Sequence, residues 1–148
     1  LPYIHPGSKL GVLLEINCET DFVANTDDFK NLSKDIAMHI AASAPISVTR
    51  EEIPQRTLER EKEIYADQAR QSGKPEDIIE KMTEGRLNKF YQENVLLEQT
   101  FVKDPDKTVA DLITETVAKL GENILISRFS RFQLGEKKIN HNSVPTDN

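Results

Sequence analysis

One cysteine and three scattered histidines are all that this 148-residue chain offers in thiol or imidazole chemistry. A lone cysteine excludes an intramolecular disulfide and fits a reducing compartment. The histidines show no metal-ligand spacing, so no metal is expected. No apolar run approaches the roughly 18 residues needed to span a bilayer, and nothing resembles a signal peptide, so a soluble protein with no membrane role is expected. An excess of basic residues is also missing. The net charge of −6 and pI near 5.1 weigh against direct nucleic-acid binding, which rests on neutralising phosphates with lysine and arginine. A protein partner fits better. There is no glycine-rich loop ending in Lys-Ser or Lys-Thr, so the chain is not itself a P-loop nucleotide binder, and no cofactor is expected. No repeat and no dividing linker are visible. The length suits one domain able to bury roughly two-thirds of its unfolded surface. The chain opens on Leu1 rather than Met, which leaves room for an N-terminal piece removed or omitted.

What the sequence does contain is organised around Gly11 to Asn25. From Val12 to Ile16 the residues are β-branched or leucine with a single charge, which suits a strand packed on at least one face. Asn17, Glu19, Thr20 and Asp21 then favour turns and helix caps, because short polar side chains bond nearby backbone amides. Phe22 follows directly. It is either presented outward or folded under, and the apolar neighbours put the core reading first.

The lead-in from Leu1 to Leu10, with Pro2, Pro6, Gly7 and Ser8, reads as turn chemistry. His5 within it reads as solvated or capping. After Asn25 the pattern turns helical, with Phe29, Leu32, Ile36 and Ile40 in one stripe, Asn25 or Thr26 as cap and Pro45 as stop. His39 lies beside the stripe as a bonded boundary residue. Thr49 to Glu52 has the form of a capping box. Two longer helices follow, one from Pro54 to Ser72-Gly73 and one from Pro75 through Ile78, Ile79, Met82, Leu87, Phe90 and Tyr91, together a helical hairpin over about 55–93. Its many charges read as a solvated face. Val95 to Val102 reads as extended or loop-like, and Asp104-Pro105 as a turn. Thr108 caps a helix carrying Val109, Leu112, Ile113, Val117 and Leu120, which Gly121 ends. Ile124 to Phe132 reads as a strand, and the polar tail from Glu136 to Asn148 as disordered. The expected fold is α+β: a small antiparallel β-sheet packed against helices on one face, with a projecting helical hairpin.

Catalytic readings are weak. Glu15, Glu19 and Asp21 would share one face while a strand lasts, as a carboxylate pair requires, but cap and turn roles explain them equally well. Cys18 and His39 would form a nucleophile and base only if the fold joined them. Even-numbered Cys18 continues the apolar face of Val12, Leu14 and Ile16, so burial is the better reading.

The run Glu15-Ile16-Asn17-Cys18-Glu19-Thr20-Asp21-Phe22-Val23-Ala24 resembles the signature of elongation factor Ts, the exchange-factor family that serves elongation factor Tu. The resemblance continues at Tyr3-Ile4-His5, at Gln71 to Pro75, at Glu80 to Arg86, and from Ala118 to Ile124 with Arg128-Phe129, ending at Gly135. It implies one core domain over 1–135, without the small N-terminal helical domain of many members. The implied function is release of GDP from elongation factor Tu without covalent chemistry, so the protein would not be an enzyme. In the family the Asp-Phe pair, here Asp21 and Phe22, enters the GTPase near its Mg²⁺ and phosphate site. Thr20 and Val23 flank that pair, Leu120 and Gly121 are implied to touch the same domain, and His5 to face elsewhere on the partner. Under this resemblance Phe22 becomes a peg on a capped turn rather than a core residue. Short members can use two chains to present two cores, so an edge strand such as Ile124 to Arg131 allows a symmetric homodimer. The implied compartment is the cytoplasm or the matrix or stroma of an organelle. The alternative from another class is a non-catalytic assembly module that recruits a partner through the acidic hairpin.

Overall fold

A computed structural model describes residues 1–136. The architecture is α+β. Strand β1 (Pro2–Ile4), strand β2 (Leu10–Asn17) and strand β5 (Leu125–Gln133) form an antiparallel sheet in the order β1-β2-β5, so β2 is central. Register places Val12 between Tyr3 and Arg131, and Leu14 beside Phe129. Between Glu15 and Ile16 the partner on β5 jumps from Arg128 to Ile126, leaving Ser127 as an extra residue. This bulge changes the strand's alternation, so that Ile126 rather than Ser127 joins the core.

One face of the sheet carries the helices. Helix α2 (Asp27–Ser43) lays Phe29, Leu32, Ile36 and Ile40 against Val12 and Leu14 of β2, with Val109, Leu96 and Phe101 completing the cluster. The Thr26 hydroxyl accepts from the Phe29 amide at 3.2 Å and starts α2, with Asp27 and Asp28 at the positive end of its dipole. Ala44 in the left-handed region and Pro45 behind it end the helix. On the opposite face Ile4 and Leu13 are exposed.

Helix α3 (Gln55–Gln71) and helix α4 (Glu76–Asn94) form the expected hairpin, turned at Gly73, whose φ of +73° suits a residue without a Cβ. Ala69 and Ile79 are their buried side chains, so most of both surfaces meets solvent. The hairpin joins the body at its base, where the Ile46 amide donates to the Asn94 carbonyl and the Leu96 amide to the Ser47 carbonyl.

Three local expectations are corrected. Within the lead-in, Pro2–Ile4 is a strand: it is only three residues long and half exposed, so it carries no alternation to read. Asp104-Pro105 is not the turn. Val102 and Lys103 turn the chain between β3 (Thr100–Phe101) and β4 (Asp104–Thr108), and Pro105 is tolerated because a two-stranded ribbon leaves ladder donors unused. His39 is not at a boundary but fully buried. Helix α5 (Val109–Leu120) has the full capping box of Thr108 and Asp111. The expected disordered tail lies, beyond Glu136, outside the described residues.

Candidate functional site

Strand β2 ends at Asn17, and three residues later Thr20 starts a single helical turn, α1 (Asp21–Ala24). The Thr20 hydroxyl accepts from the Val23 amide at 3.3 Å, the N-cap bond. The Asn25 side chain closes the other end by donating to the Asp21 carbonyl at 2.9 Å. Thr26 then donates to the Val23 carbonyl at 2.7 Å while capping α2. Consecutive helical residues point about 100° apart, and here the rotation separates two neighbours sharply. Phe22 is 82% exposed, whereas Val23 is 4% exposed and sits in the core cluster. Pattern alone would bury Phe22; in the structure Val23 takes the inward position and anchors the turn. Asp21 is exposed beside Phe22.

A residue 102 positions away from Thr20 holds this turn. Glu122 accepts from the Glu19 and Thr20 amides at 3.1 and 3.0 Å through Oε1, and from the Thr20 hydroxyl at 2.6 Å through Oε2. Gly121 makes that reach possible. Its φ of +71° ends α5 in the left-handed conformation, and its amide donates to the Val117 carbonyl at 2.8 Å. Lys119 in the last turn of α5 pairs with Asp28 in the first turn of α2 at 3.1 Å. Thr20, Asp21, Phe22 and Val23 therefore gather at the end of the molecule where α5 stops at Gly121. Leu120 is half-buried against the core. Glu122 carries no signal in the sequence, because an acid after a helix-ending glycine has no distinctive spacing; only contact across the fold reveals its hold on the turn.

His5 is elsewhere. Its amide donates to the carbonyl of Leu10, the first residue of β2, at 2.9 Å. A strand rises about 3.3 Å per residue, so the far end of β2 lies on the order of 20 Å away. The His5 ring is exposed and its Nδ1 pairs with the Tyr3 hydroxyl at 3.1 Å.

The catalytic alternatives do not assemble. Glu15 pairs with Arg128 at 2.5 Å, and β2 ends before Glu19 and Asp21, so strand alternation does not align the three carboxylates. Cys18 is half-buried and its thiol donates to the Thr20 carbonyl at 3.3 Å. His39 is committed on both nitrogens. The Val102 amide donates to Nδ1 at 3.2 Å, so Nε2 carries the proton and donates to Gln99 Oε1 at 2.9 Å. Burial pushes the His39 pKa below its ordinary 6.5, against the opposing effect of the Gln99 bond. Among the described residues no group of three or more His, Cys, Asp or Glu could hold a metal ion, and no helix is long and apolar enough to cross a membrane. The arrangement presents an aromatic ring and a carboxylate on a capped turn.

The family model described as elongation factor TS matches residues 1–136. The elongation factor Ts of Geobacter sulfurreducens is 62% identical over 134 residues, covering 90% of this chain and 62% of that protein. Its counterpart in Thermoanaerobacter sp. is 58% identical over 134 residues, covering 90% and 66%. That of Carboxydothermus hydrogenoformans is 60% identical, with 90% and 62% covered. The chain thus spans about 62–66% of the length of these relatives.

Proposed function

The chain belongs to the elongation factor Ts family, and from that premise we propose that it promotes release of GDP from elongation factor Tu by presenting Asp21 and Phe22 to the Mg²⁺ and phosphate region of the GTPase. The observation that carries this reading is the exposure of Phe22, 82%, on a turn capped by Thr20 and anchored by Val23. A partner that covers this ring gains by removing its apolar surface from water.

The physical logic is linkage. A nucleotide held by a phosphate loop and Mg²⁺ leaves slowly because several charge-assisted contacts must break together. A factor that binds the empty GTPase more tightly than the loaded one weakens nucleotide affinity by the same ratio. Burying one phenylalanine contributes about 1.5–3 kcal/mol. If that contact forms only in the empty state, it corresponds to about 10- to 150-fold. Preorganisation helps, since the capped turn does not have to be ordered on binding. Asp21 adds a negative charge that competes for Mg²⁺ and repels phosphate. No covalent step is involved, so the chain acts as an exchange factor and not as an enzyme.

The spatial grouping supports Gly121 and the exposed edge of Leu120 as contacts beside Phe22; His5, about a strand's length away, enters as a separate contact through the family resemblance alone. The edge position of β5 supports pairing with a second copy, which sedimentation at rising concentration would reveal as a dimer. Mixing the chain with elongation factor Tu loaded with GDP tests the main reading. A nucleotide-free complex on size exclusion is the expected result. Co-elution with GDP still bound, or no complex, would overturn it.

A further inference from the structure

We propose that Glu122 is the positioning residue of the exchange surface, fixing where Asp21 and Phe22 point; this rests on the exchange reading above. Both carboxylate oxygens are used, Oε1 by the Glu19 and Thr20 amides at 3.1 and 3.0 Å and Oε2 by the Thr20 hydroxyl at 2.6 Å. Successive backbone amides aimed at one oxygen form an anion nest. Here the anion is a side chain of the same molecule.

The hydroxyl bond carries a second consequence. An ionised carboxylate only accepts, so Thr20 must give Glu122 its single proton, which turns a hydroxyl lone pair toward the Val23 amide 3.3 Å away. Glu122 therefore sets the cap of α1. A helix of four residues lies far below the length that sustains itself, so its orientation depends on such outside bonds. Phe22 itself, being 82% exposed, has little packing to hold its direction. The chain of cause runs from the left-handed Gly121 to the Glu122 carboxylate, then to the Thr20 cap, and so to the Phe22 ring. Glu122 acts through Phe22 and need not touch the partner.

The test measures release of a fluorescent GDP from elongation factor Tu by the parent chain, Glu122→Ala, Glu122→Gln, Phe22→Ala and the double variant Phe22→Ala with Glu122→Ala. Circular dichroism serves as the folding control. Glu122→Ala is expected to lose about 10-fold of the stimulation, and Glu122→Gln to recover only part of it, because its amide oxygen still accepts both backbone amides while its NH2 group cannot accept the Thr20 proton. In the Phe22→Ala background, removal of Glu122 is expected to cost clearly less than in the parent, since the ring is gone and only Asp21 is left for it to position. A folded Glu122→Ala at the parental rate, or an equal loss with and without Phe22, overturns the proposal. Amide hydrogen exchange supplies an arm independent of activity. Thr20 should lose protection in Glu122→Ala while Leu14 keeps it, and retained Thr20 protection overturns the proposal. A parent chain without exchange activity instead overturns the functional reading, and the amide arm still decides whether Glu122 orders the turn.

Discussion

Replacing Gln99 with leucine isolates the buried polar junction at the base of the hairpin. The Gln99 side chain, 4% exposed, accepts from His39 Nε2 at 2.9 Å and donates to the Glu93 carbonyl at 2.8 Å, with a longer contact of 3.4 Å to the Ser43 carbonyl. Glu93 and Ser43 lie in the last turns of α4 and α2, where carbonyls lack a partner within the helix. One amide therefore serves the ends of two helices and fixes the His39 tautomer. Leucine fills similar volume, so cavity formation adds little. It leaves the buried His39 N–H without a partner, at about 1–3 kcal/mol, and removes the part-buried bond to the Glu93 carbonyl, worth about 0.5–1.5 kcal/mol, or about 1.5–4.5 kcal/mol in total. A domain of this size has about 5–15 kcal/mol in all. With a urea slope of about 2 kcal/mol per molar, the midpoint should fall by about 0.75–2.25 M. Urea titration followed at 222 nm measures it. A loss below about 0.5 M would refute the reasoning and mean that water or a rotated His39 satisfies these groups.

Three further outcomes are expected. His39 is held below its ordinary 6.5 by burial, so below that pH the unfolded chain binds the proton that the folded chain refuses. Stability should be level above about pH 7 and fall as pH drops from 6.5, by at most about 1.4 kcal/mol per unit, until the folded histidine also protonates. Urea midpoints at pH 7.5 and 5.5 check the sign, and equal values would contradict it. Val23→Ala should cost about 1–3 kcal/mol in the same titration, since the side chain is 4% exposed beneath the turn. Gly121→Ala should cost about 1–2 kcal/mol, measured as a lowered thermal midpoint. The cost comes from its φ of +71° alone, because no heavy atom lies within 4 Å of the added Cβ.

Much of the helical architecture was legible because it rests on local rules. The stripe of α2, the Gly73 turn, and the Thr108 cap with its Gly121 stop all act within a few residues. What stayed hidden was set across the fold. The apolar residues Ile124, Ile126 and Phe129 change spacing at Ser127, yet only pairing with β2 shows that a bulge absorbs the change. His39 looks like an edge of the α2 stripe until Phe101 stacks against it, ring centroids 6.0 Å apart, and Gln99 closes over it. Phe22 was ambiguous for the same reason. Its direction depends on the rotation of α1, which Thr20 and the distant Glu122 set, and adjacent Val23 satisfies the local demand for burial. Family resemblance pointed to the outward reading where pattern pointed inward.

The most direct test of the central claim follows fluorescent GDP leaving elongation factor Tu with the parent chain and with Phe22→Ala. At 82% exposure the ring contributes little to folding, so the variant should keep its unfolding free energy in urea to within about 0.5 kcal/mol. It should nevertheless lose about 10- to 150-fold of the stimulated release. A folded Phe22→Ala that releases GDP at the parental rate would contradict the claim that this exposed ring drives exchange.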